Sequence, residues 1–355
     1  MKYYSLKKIK QLNATINVII GQRSNGKSYA VKEDIINRYF DNGEKFCYIR
    51  RLKKQRTQNK IEEQFCDKGI EKLIEKKSKG KYDCIKAYRG YICLDNSTEK
   101  LHEDLPIIGY YTSVEESDDL KGSQIFQDVK TVFFDEFMTS SSIYFVNEII
   151  MYNNLLSTIA RNRNDLKIYL CANTISRVCP YLDEYGISEI IDKIEQGKIY
   201  QITQRSEDGE RTIALEYCKS TVANNLFAGS QSASMINSGE WETKSYLRLP
   251  NKLRDYKTLY KIYVDGGTFN FAWLLLQDDD GICTYIHPTG NDKTQFDKIL
   301  TNKFSMNRKE LSRLDRLNPY ESIMLSYRHT NHETFATNLC GTDFENVMNQ
   351  EVPAN

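Results

Sequence analysis

Eight consecutive residues constrain this chain more than any other stretch. Gly21, Gln22, Arg23, Ser24, Asn25, Gly26, Lys27 and Ser28 fit the pattern G-x-x-x-x-G-K-[ST] at every defined position. The apolar, β-branched run 15–20 (T-I-N-V-I-I) leads into them and reads as a buried strand. A helical pattern follows over about 27–40 and is closed by Asp41-Asn42-Gly43. Strand, glycine loop and helix in that order make a phosphate-binding loop. Glycine lets the backbone bend until successive N–H groups point inward at anionic oxygens. The helix beginning near Lys27 adds the positive end of its dipole. The Lys27 ammonium suits the β- and γ-phosphates of ATP, the Ser28 hydroxyl suits Mg2+, and Tyr29 closes the nucleotide-contacting stretch.

The next apolar run, 45–50 (K-F-C-Y-I-R), completes a βαβ unit, so the sheet is parallel and the fold α/β. Residues 81–95 read as a hairpin turning at Arg89-Gly90 and inserted into that sheet. Further strands are expected at 106–111, 131–134, 167–172, 198–203 and 212–217, with a helical face over 144–159. After Cys218 the composition changes. Residues 221–240 are rich in Ser, Asn, Gly and Ala and read as a linker or mobile lid. Alternating runs at 259–264, 269–277 and 282–287, joined by G-G and D-D-D-G turns, predict an antiparallel meander. The expected division is an ATPase domain over 1–218, a linker over 219–256 and a second domain over 257–355, with a frayed tail from about 350.

Composition narrows the class. The chain has 355 residues, and its 49 Lys+Arg nearly cancel 48 Asp+Glu, so an anionic partner must be met by local charge clusters. No run reaches the roughly 18 apolar residues of a membrane span, and the start does not resemble a signal peptide. Nine cysteines without a C-x-x-C pair read as reduced thiols filling the core of a cytosolic protein. The four histidines are too dispersed for a zinc site.

Val132-Phe133-Phe134-Asp135-Glu136 delivers two carboxylates at the end of an apolar strand, where ligands of α/β sheets bind. Such pairs also cap helices. With the phosphate loop upstream, Asp135 is expected to hold Mg2+ through its water shell and Glu136 to activate the attacking water. Asn173, after the strand 167–172, is either a turn residue or a sensor of the terminal phosphate between the loop and the carboxylates. Arg161 and Arg163 sit where a helix ends. They either complement its dipole or supply an arginine finger to a neighbouring subunit, and Arg161 is favoured for the latter. Arg50-Arg51-Leu52-Lys53-Lys54-Gln55-Arg56, with Lys60 beyond, is the densest positive run. It is either a solvated face or a tracker of DNA phosphates through Lys53, Lys54, Arg56 and Lys60. Arg50 and Arg51, at a strand end, stand close enough to the nucleotide to read it or to couple subunits.

The order of five segments is specific: I-G-Q-R-S-N-G-K-S-Y-A (20–30), Y-I-R-R (48–51), F-D-E-F (134–137), A-R-N-R (160–163) and C-A-N-T-I-S-R-V-C-P-Y (171–181). Together they resemble the DNA-packaging ATPases of phi29-type small tailed phages, ring motors related to FtsK/HerA and large-terminase ATPases. The resemblance is strong over about 17–180 and traceable through N-N-L-F-A-G-S (224–230) and Y-K-I-Y-V-D-G-G-T-F (260–269). It implies a P-loop NTPase of the additional-strand, catalytic-glutamate type, with the base at Glu136 and a trans-acting arginine at Arg161. It also implies a pentameric homo-oligomeric ring on the portal of an empty prohead in the host cytoplasm, moving double-stranded DNA, with a structural RNA an open question and no membrane. A trans-acting lysine of that family maps nearest to Lys121, one residue out of step. The C-terminal domain is expected to resemble an RNase H-type nuclease without a working site: Asp265 stands where a first metal ligand belongs and Asp343 and Glu345 where late-helix ligands would, but no intermediate carboxylate appears in 283–292.

Three readings follow: a packaging translocase; a HerA/FtsK-like pump or helicase; or a nucleotide-gated scaffold without turnover. The pump or helicase would need a membrane anchor or strand-separating elements, which the sequence does not display. The scaffold would have no use for a base at Glu136.

Overall fold

A computed structural model describes residues 3–97, 105–120, 126, 128–139, 143–207, 209–219, 236, 238–301 and 318–349. After the short helix α1 (Lys7–Gln11), strand β1 (Ile16–Gly21) enters the phosphate loop. Helix α2 (Lys27–Asn42) leaves it, ending at Gly43, whose left-handed φ of 71° lets its N–H close back on the Tyr39 carbonyl. Then come β2 (Lys45–Arg50), α3 (Gln58–Phe65) and α4 (Lys68–Lys77). The hairpin β3 (Cys84–Tyr88) and β4 (Tyr91–Asp95) turns at Arg89-Gly90, both with positive φ. Next are β5 (Ile107–Ser113), β6 (Val129–Asp135), α5 (Glu148–Ala160), β7 (Lys167–Asn173), α6 (Pro180–Glu184), β8 (Lys198–Ser206) and β9 (Gly209–Tyr217).

These strands form one nine-stranded sheet in the order β3-β4-β5-β2-β6-β7-β1-β9-β8. From β5 to β9 every neighbouring pair is parallel, and the antiparallel pairs lie at the two edges. Strand β7 stands between β1, which carries the phosphate loop, and β6, which carries Asp135. This is the additional-strand arrangement. Period-two alternation sends Ile16, Val18 and Ile20 of β1 to one face and Ile19 to the other. Ile61, Phe65, Ile70 and Ile74 of α3 and α4 cover the second face together with Val31 and Ile35 of α2. Tyr152, Leu155 and Ile159 of α5 cover the first. Burial on both faces is why the central strands read as continuous apolar runs.

A second sheet follows. Strands β10 (Lys257–Gly266), β11 (Phe269–Asp278) and β12 (Gly281–Pro288) are an antiparallel meander; β13 (Lys298–Thr301) adds parallel to β10 and β14 (Thr334–Phe335) parallel to β12. Helices α7 (Pro319–His329) and α8 (Asn338–Asn349) pack on one face through Met324, Leu325, Phe344 and Val347 against Ile262, Phe271 and Trp273. Three antiparallel strands with a fourth beside and parallel to the first agree with the RNase H-type resemblance.

Two local readings differ from the sequence expectation. The helix expected from 144 begins only at Glu148, because Asn147 takes a left-handed φ of 63° and the Glu148 side chain turns back to accept from the Phe145 N–H. Helices α3 and α4 went unassigned, their apolar residues being sparse among charges. Lys121 and residues 220–235 lie outside the described residues, as does the tail from 350. All nine cysteines are free thiols. Among the described residues no helix is long and apolar enough to cross a membrane.

Candidate active site

The phosphate loop lies across the carboxyl ends of β1 and β7, where register pairs Gly21 with Asn173. Two glycines are required there by geometry. Gly26 has φ 93°, and a Cβ at Gly21 would stand 3.0 Å from Cys218 Cβ, since the chain leaving β9 crosses directly behind it. Gln22 and Asn25 are buried, whereas Arg23 and Ser24 are exposed. The Lys27 ammonium is folded into the loop and donates to the carbonyls of Gly21 and Gln22 at 3.2 and 2.6 Å and to Asn25 Oδ1 at 3.2 Å. It also donates to Asn173 Oδ1 at 3.3 Å. Burial lowers the Lys27 pKa, and the nearby Asp135 works against that shift. A cation buried among its own carbonyls, with Asn25 Nδ2 buried beside it and without a hydrogen-bond partner, is a site whose polarity fits phosphate oxygens.

Ser28 donates to Asp135 Oδ1 at 2.7 Å, and Tyr48 of β2 donates to Asp135 Oδ2 at 3.2 Å. Ser28 and Asp135 therefore converge as hard oxygen donors, the set a hydrated divalent cation takes. Glu136 follows in the left-handed region at φ 56°, its N–H held by the Cys171 carbonyl at 2.8 Å. Non-glycine residues rarely take this conformation, and it concentrates at functional sites. It turns the Glu136 carboxylate away from the sheet, with 58% of its side chain exposed. Arg50 reaches that carboxylate with Nη2 and leaves its own buried Nε without a partner.

Arg51, the next residue, does different work. It grips Glu148 with two bonds of 2.7 Å, donates to the Ile143 carbonyl and lies over the Tyr144 ring at 4.7 Å. Tyr181 completes the cluster by donating to Glu148 at 2.7 Å. This buried ion pair ties the end of β2 to α5 and α6 behind the site.

The remaining expected residues divide. Arg163 donates to the carbonyls of Val129, Phe126, Ile159 and Ala160 and so fastens the end of α5 to the start of β6. Arg161 is the left-handed C-cap of α5, at φ 44°. Tyr29 packs its ring against Gly69 at the start of α4. The basic run does not present all its charge outward. Lys53, Lys54 and Lys60 are exposed, but Arg56 pairs with the buried Glu116, and Lys53 Nζ lies 3.6 Å from the same carboxylate. Lys60 donates to the Lys54 carbonyl.

The three carboxylates considered as remnants of a nuclease site are each paired with a cation: Asp265 with Lys293 at 2.6 Å, Asp343 with Arg177 at 2.5 Å and Glu345 with Lys244 at 2.9 Å. Sequence reading missed Lys32, whose buried amine donates to the Gln64 carbonyl and lies 5.4 Å from the Phe65 ring centroid, joining α2 to α3. Its signal was available: a lysine on the inner side of the loop helix, five residues after Lys27. It also missed that the chain after 235 returns to the loop. Gln22 Nε2 donates to the Ile236 carbonyl at 2.7 Å, and Gly239 (φ 70°) sits so close that a Cβ there would lie 2.9 Å from the Gln22 nitrogen.

Sheet order, loop and paired carboxylates define a P-loop NTPase fold of the additional-strand type. The family model described as podovirus DNA encapsidation protein (Gp16) matches residues 1–311, and the chain belongs to that family. The DNA packaging protein of Bacillus phage phi29 is 25% identical over 279 residues, covering 77% of this chain and 75% of that one. The DNA packaging protein of Bacillus phage B103 is 31% identical over 181 residues, half of each chain. Among solved structures, the bacteriophage Phi-29 viral genome packaging motor assembly aligns over 97% of this chain and 99% of that chain, with TM-score 0.51 and 20% identity. The Phi-28 gp11 DNA packaging motor aligns over 99% of both, with TM-score 0.50 and 17% identity. Both likenesses are of fold.

Proposed function

We propose that this protein hydrolyses ATP to drive double-stranded DNA into a phage prohead, working as a homo-oligomeric ring, pentameric by resemblance, on the portal. Residues 1–218 form the motor unit, 219–256 the link and 257–355 the unit that meets the prohead. The observation that carries this reading is the convergence of Lys27, Ser28, Asp135, Glu136 and Asn173 at the carboxyl ends of β1, β6 and β7, in a member of the encapsidation family.

The loop from Gly21 to Ser28 receives the phosphates on its N–H groups, and Lys27 leaves its own carbonyls to neutralise their charge. Ser28 and Asp135 would hold Mg2+, which when bound would offset the negative charge that develops on the phosphates. Asn173, already in contact with the Lys27 amine, reports the terminal phosphate. Glu136 takes the proton of the attacking water once Arg50 lets go of it. The Arg50–Glu136 ion pair supports a role for Arg50 in restraining that base until the site is loaded. Arg50 ends the strand that runs into Lys53 and Lys54, so a pull by DNA on those lysines acts on the same segment that restrains Glu136. Arg161 is the finger that reaches a neighbouring subunit, the role that the family resemblance gives to this position; Arg163 fastens α5 to β6 within its own chain.

The test is ATP turnover with and without double-stranded DNA. Wild type is expected to hydrolyse ATP faster with DNA, and Lys27→Ala to lose about a hundredfold or more, the usual effect of removing a donor that stabilises transition-state charge. Wild-type turnover by Lys27→Ala would sink the assignment of the loop. Turnover indifferent to DNA would remove the motor and leave an ATPase of another purpose.

A further inference from the structure

The five residues after the expected sensor, 174–178, are bound at nearly every position to the chain beyond 235. Thr174, fully buried, places its hydroxyl 2.8 and 2.9 Å from the carbonyls of Gly239 and Glu240, and its own carbonyl accepts from the Glu242 N–H. Ser176 Oγ accepts from Asn346 Nδ2 of α8 at 2.8 Å. Arg177 donates to Asp343 of α8 at 2.5 Å and to Asp192, with its guanidinium 4.8 Å from the centroid of the Phe269 ring. Val178 is part of the core built by Ile262, Phe271, Phe344 and Val347. Only then does the chain return to the first sheet, where Tyr181 joins the cluster behind β6.

We propose that 174–178 is the rod through which the nucleotide site moves the C-terminal unit, with Arg177 as its positioning residue, seated on Asp343 and Phe269. The inference rests on the nucleotide reading above and deepens it. A displacement of the strand end at Asn173 is passed on by Thr174 to 239–242 and by Ser176, Arg177 and Val178 to the second unit. Asp343 is 2% exposed, so separation from Arg177 would leave a carboxylate buried without its cation. A slide of α8 with the rod keeps that pair closed. The side chain that a nuclease of this fold would use for metal here accepts an arginine from the motor unit.

The experiment is hydrogen–deuterium exchange of the full chain, with and without a non-hydrolysable ATP analogue and Mg2+, read on peptides covering α8. Analogue affinity and DNA-stimulated turnover are measured on the same preparations. In wild type the analogue is expected to change exchange in α8. In Asp343→Asn and Arg177→Gln that change is expected to vanish, with analogue affinity kept and the DNA-stimulated part of turnover lowered roughly tenfold, within the range of coupling mutations. Arg177→Lys, which keeps the charge and the fold, is expected to restore part of both. An α8 response of wild-type size in a variant that binds the analogue overturns the proposal, and so does a wild type that binds it with no change in α8. A wild type that binds no analogue overturns the nucleotide reading itself, a separate failure visible in the affinity measurement.

Discussion

Strands β6 and β10 both carry carboxylates at their carboxyl ends, and the two ends are used differently. At the end of β6, Asp135 and Glu136 converge with Ser28, Tyr48 and Arg50 around the phosphate loop, and Glu136 remains largely exposed beside Arg50. At the end of β10, Asp265 is met by Lys293, and on the neighbouring helix Asp343 and Glu345 each face a cation of their own. Asp135 is met by the hydroxyls of Ser28 and Tyr48, hard oxygen donors that suit a hydrated cation. Asp265, Asp343 and Glu345 are instead neutralised one by one, and theirs is the chemistry of an interface. The contrast separates the candidate nucleotide site from a surface whose carboxylates are taken up by cations of the same chain.

The comparison is broken most directly at the base. Glu136→Gln is expected to retain ATP binding and lose about 10²- to 10⁴-fold in hydrolysis, the usual contribution of a positioned base. Asp265→Asn, its counterpart on β10, is expected to leave turnover within about twofold. Single-turnover hydrolysis of both variants decides it, and equal losses would erase the distinction. Next in size is a difference in packing. Arg51→Ala leaves Glu148 buried without its cation, at a cost of roughly 3–5 kcal/mol of unfolding free energy, whereas Lys293→Ala strips an exposed partner and is expected to leave the urea midpoint unchanged. Similar midpoints for the two variants would mean that Glu148 finds another partner.

A smaller effect concerns the basic run. If Lys53 and Lys54 meet DNA phosphates, the slope of log affinity against log salt flattens by about 1 for each lysine replaced, with every sequence weakened alike. An unchanged slope in the Lys53→Ala/Lys54→Ala double variant would leave the run a solvated face. The smallest effect belongs to the second unit alone. Burial raises the Glu333 carboxyl from 4.5 to about 7, against the pull of Arg328. The folded state therefore holds a proton that the unfolded chain has released. This contribution to stability is complete below about pH 4.5 and is lost as pH rises towards 7. Glu333→Gln is expected to flatten that decline in melts run across the window; an unaltered pH profile would clear Glu333 of the effect.

Much of the candidate active site was legible because its signals are local. The phosphate loop needs its glycines and Lys27 within eight residues, and Asp135-Glu136 needs only an apolar strand before it. The Arg50–Glu136 pair, the Arg51–Glu148–Tyr181 cluster and the return of Gly239 to Gln22 were not legible, since each joins segments between 33 and 217 residues apart. Composition alone could not divide Arg50 to Arg56 into inward and outward charges, because Glu116, which claims Arg56, lies sixty residues downstream.

By itself the sequence determined the parallel sheet, the loop chemistry and the meander that follows. Apolar period, glycine spacing and turn residues act within a few positions of one another and leave their pattern in the chain. Only the tertiary structure decided which charges are neutralised and which face a ligand. It also decided that Asp343 receives Arg177. The reason is physical: the worth of a charge depends on the dielectric around it and on the partner within about 4 Å, and folding brings both from distant parts of the chain.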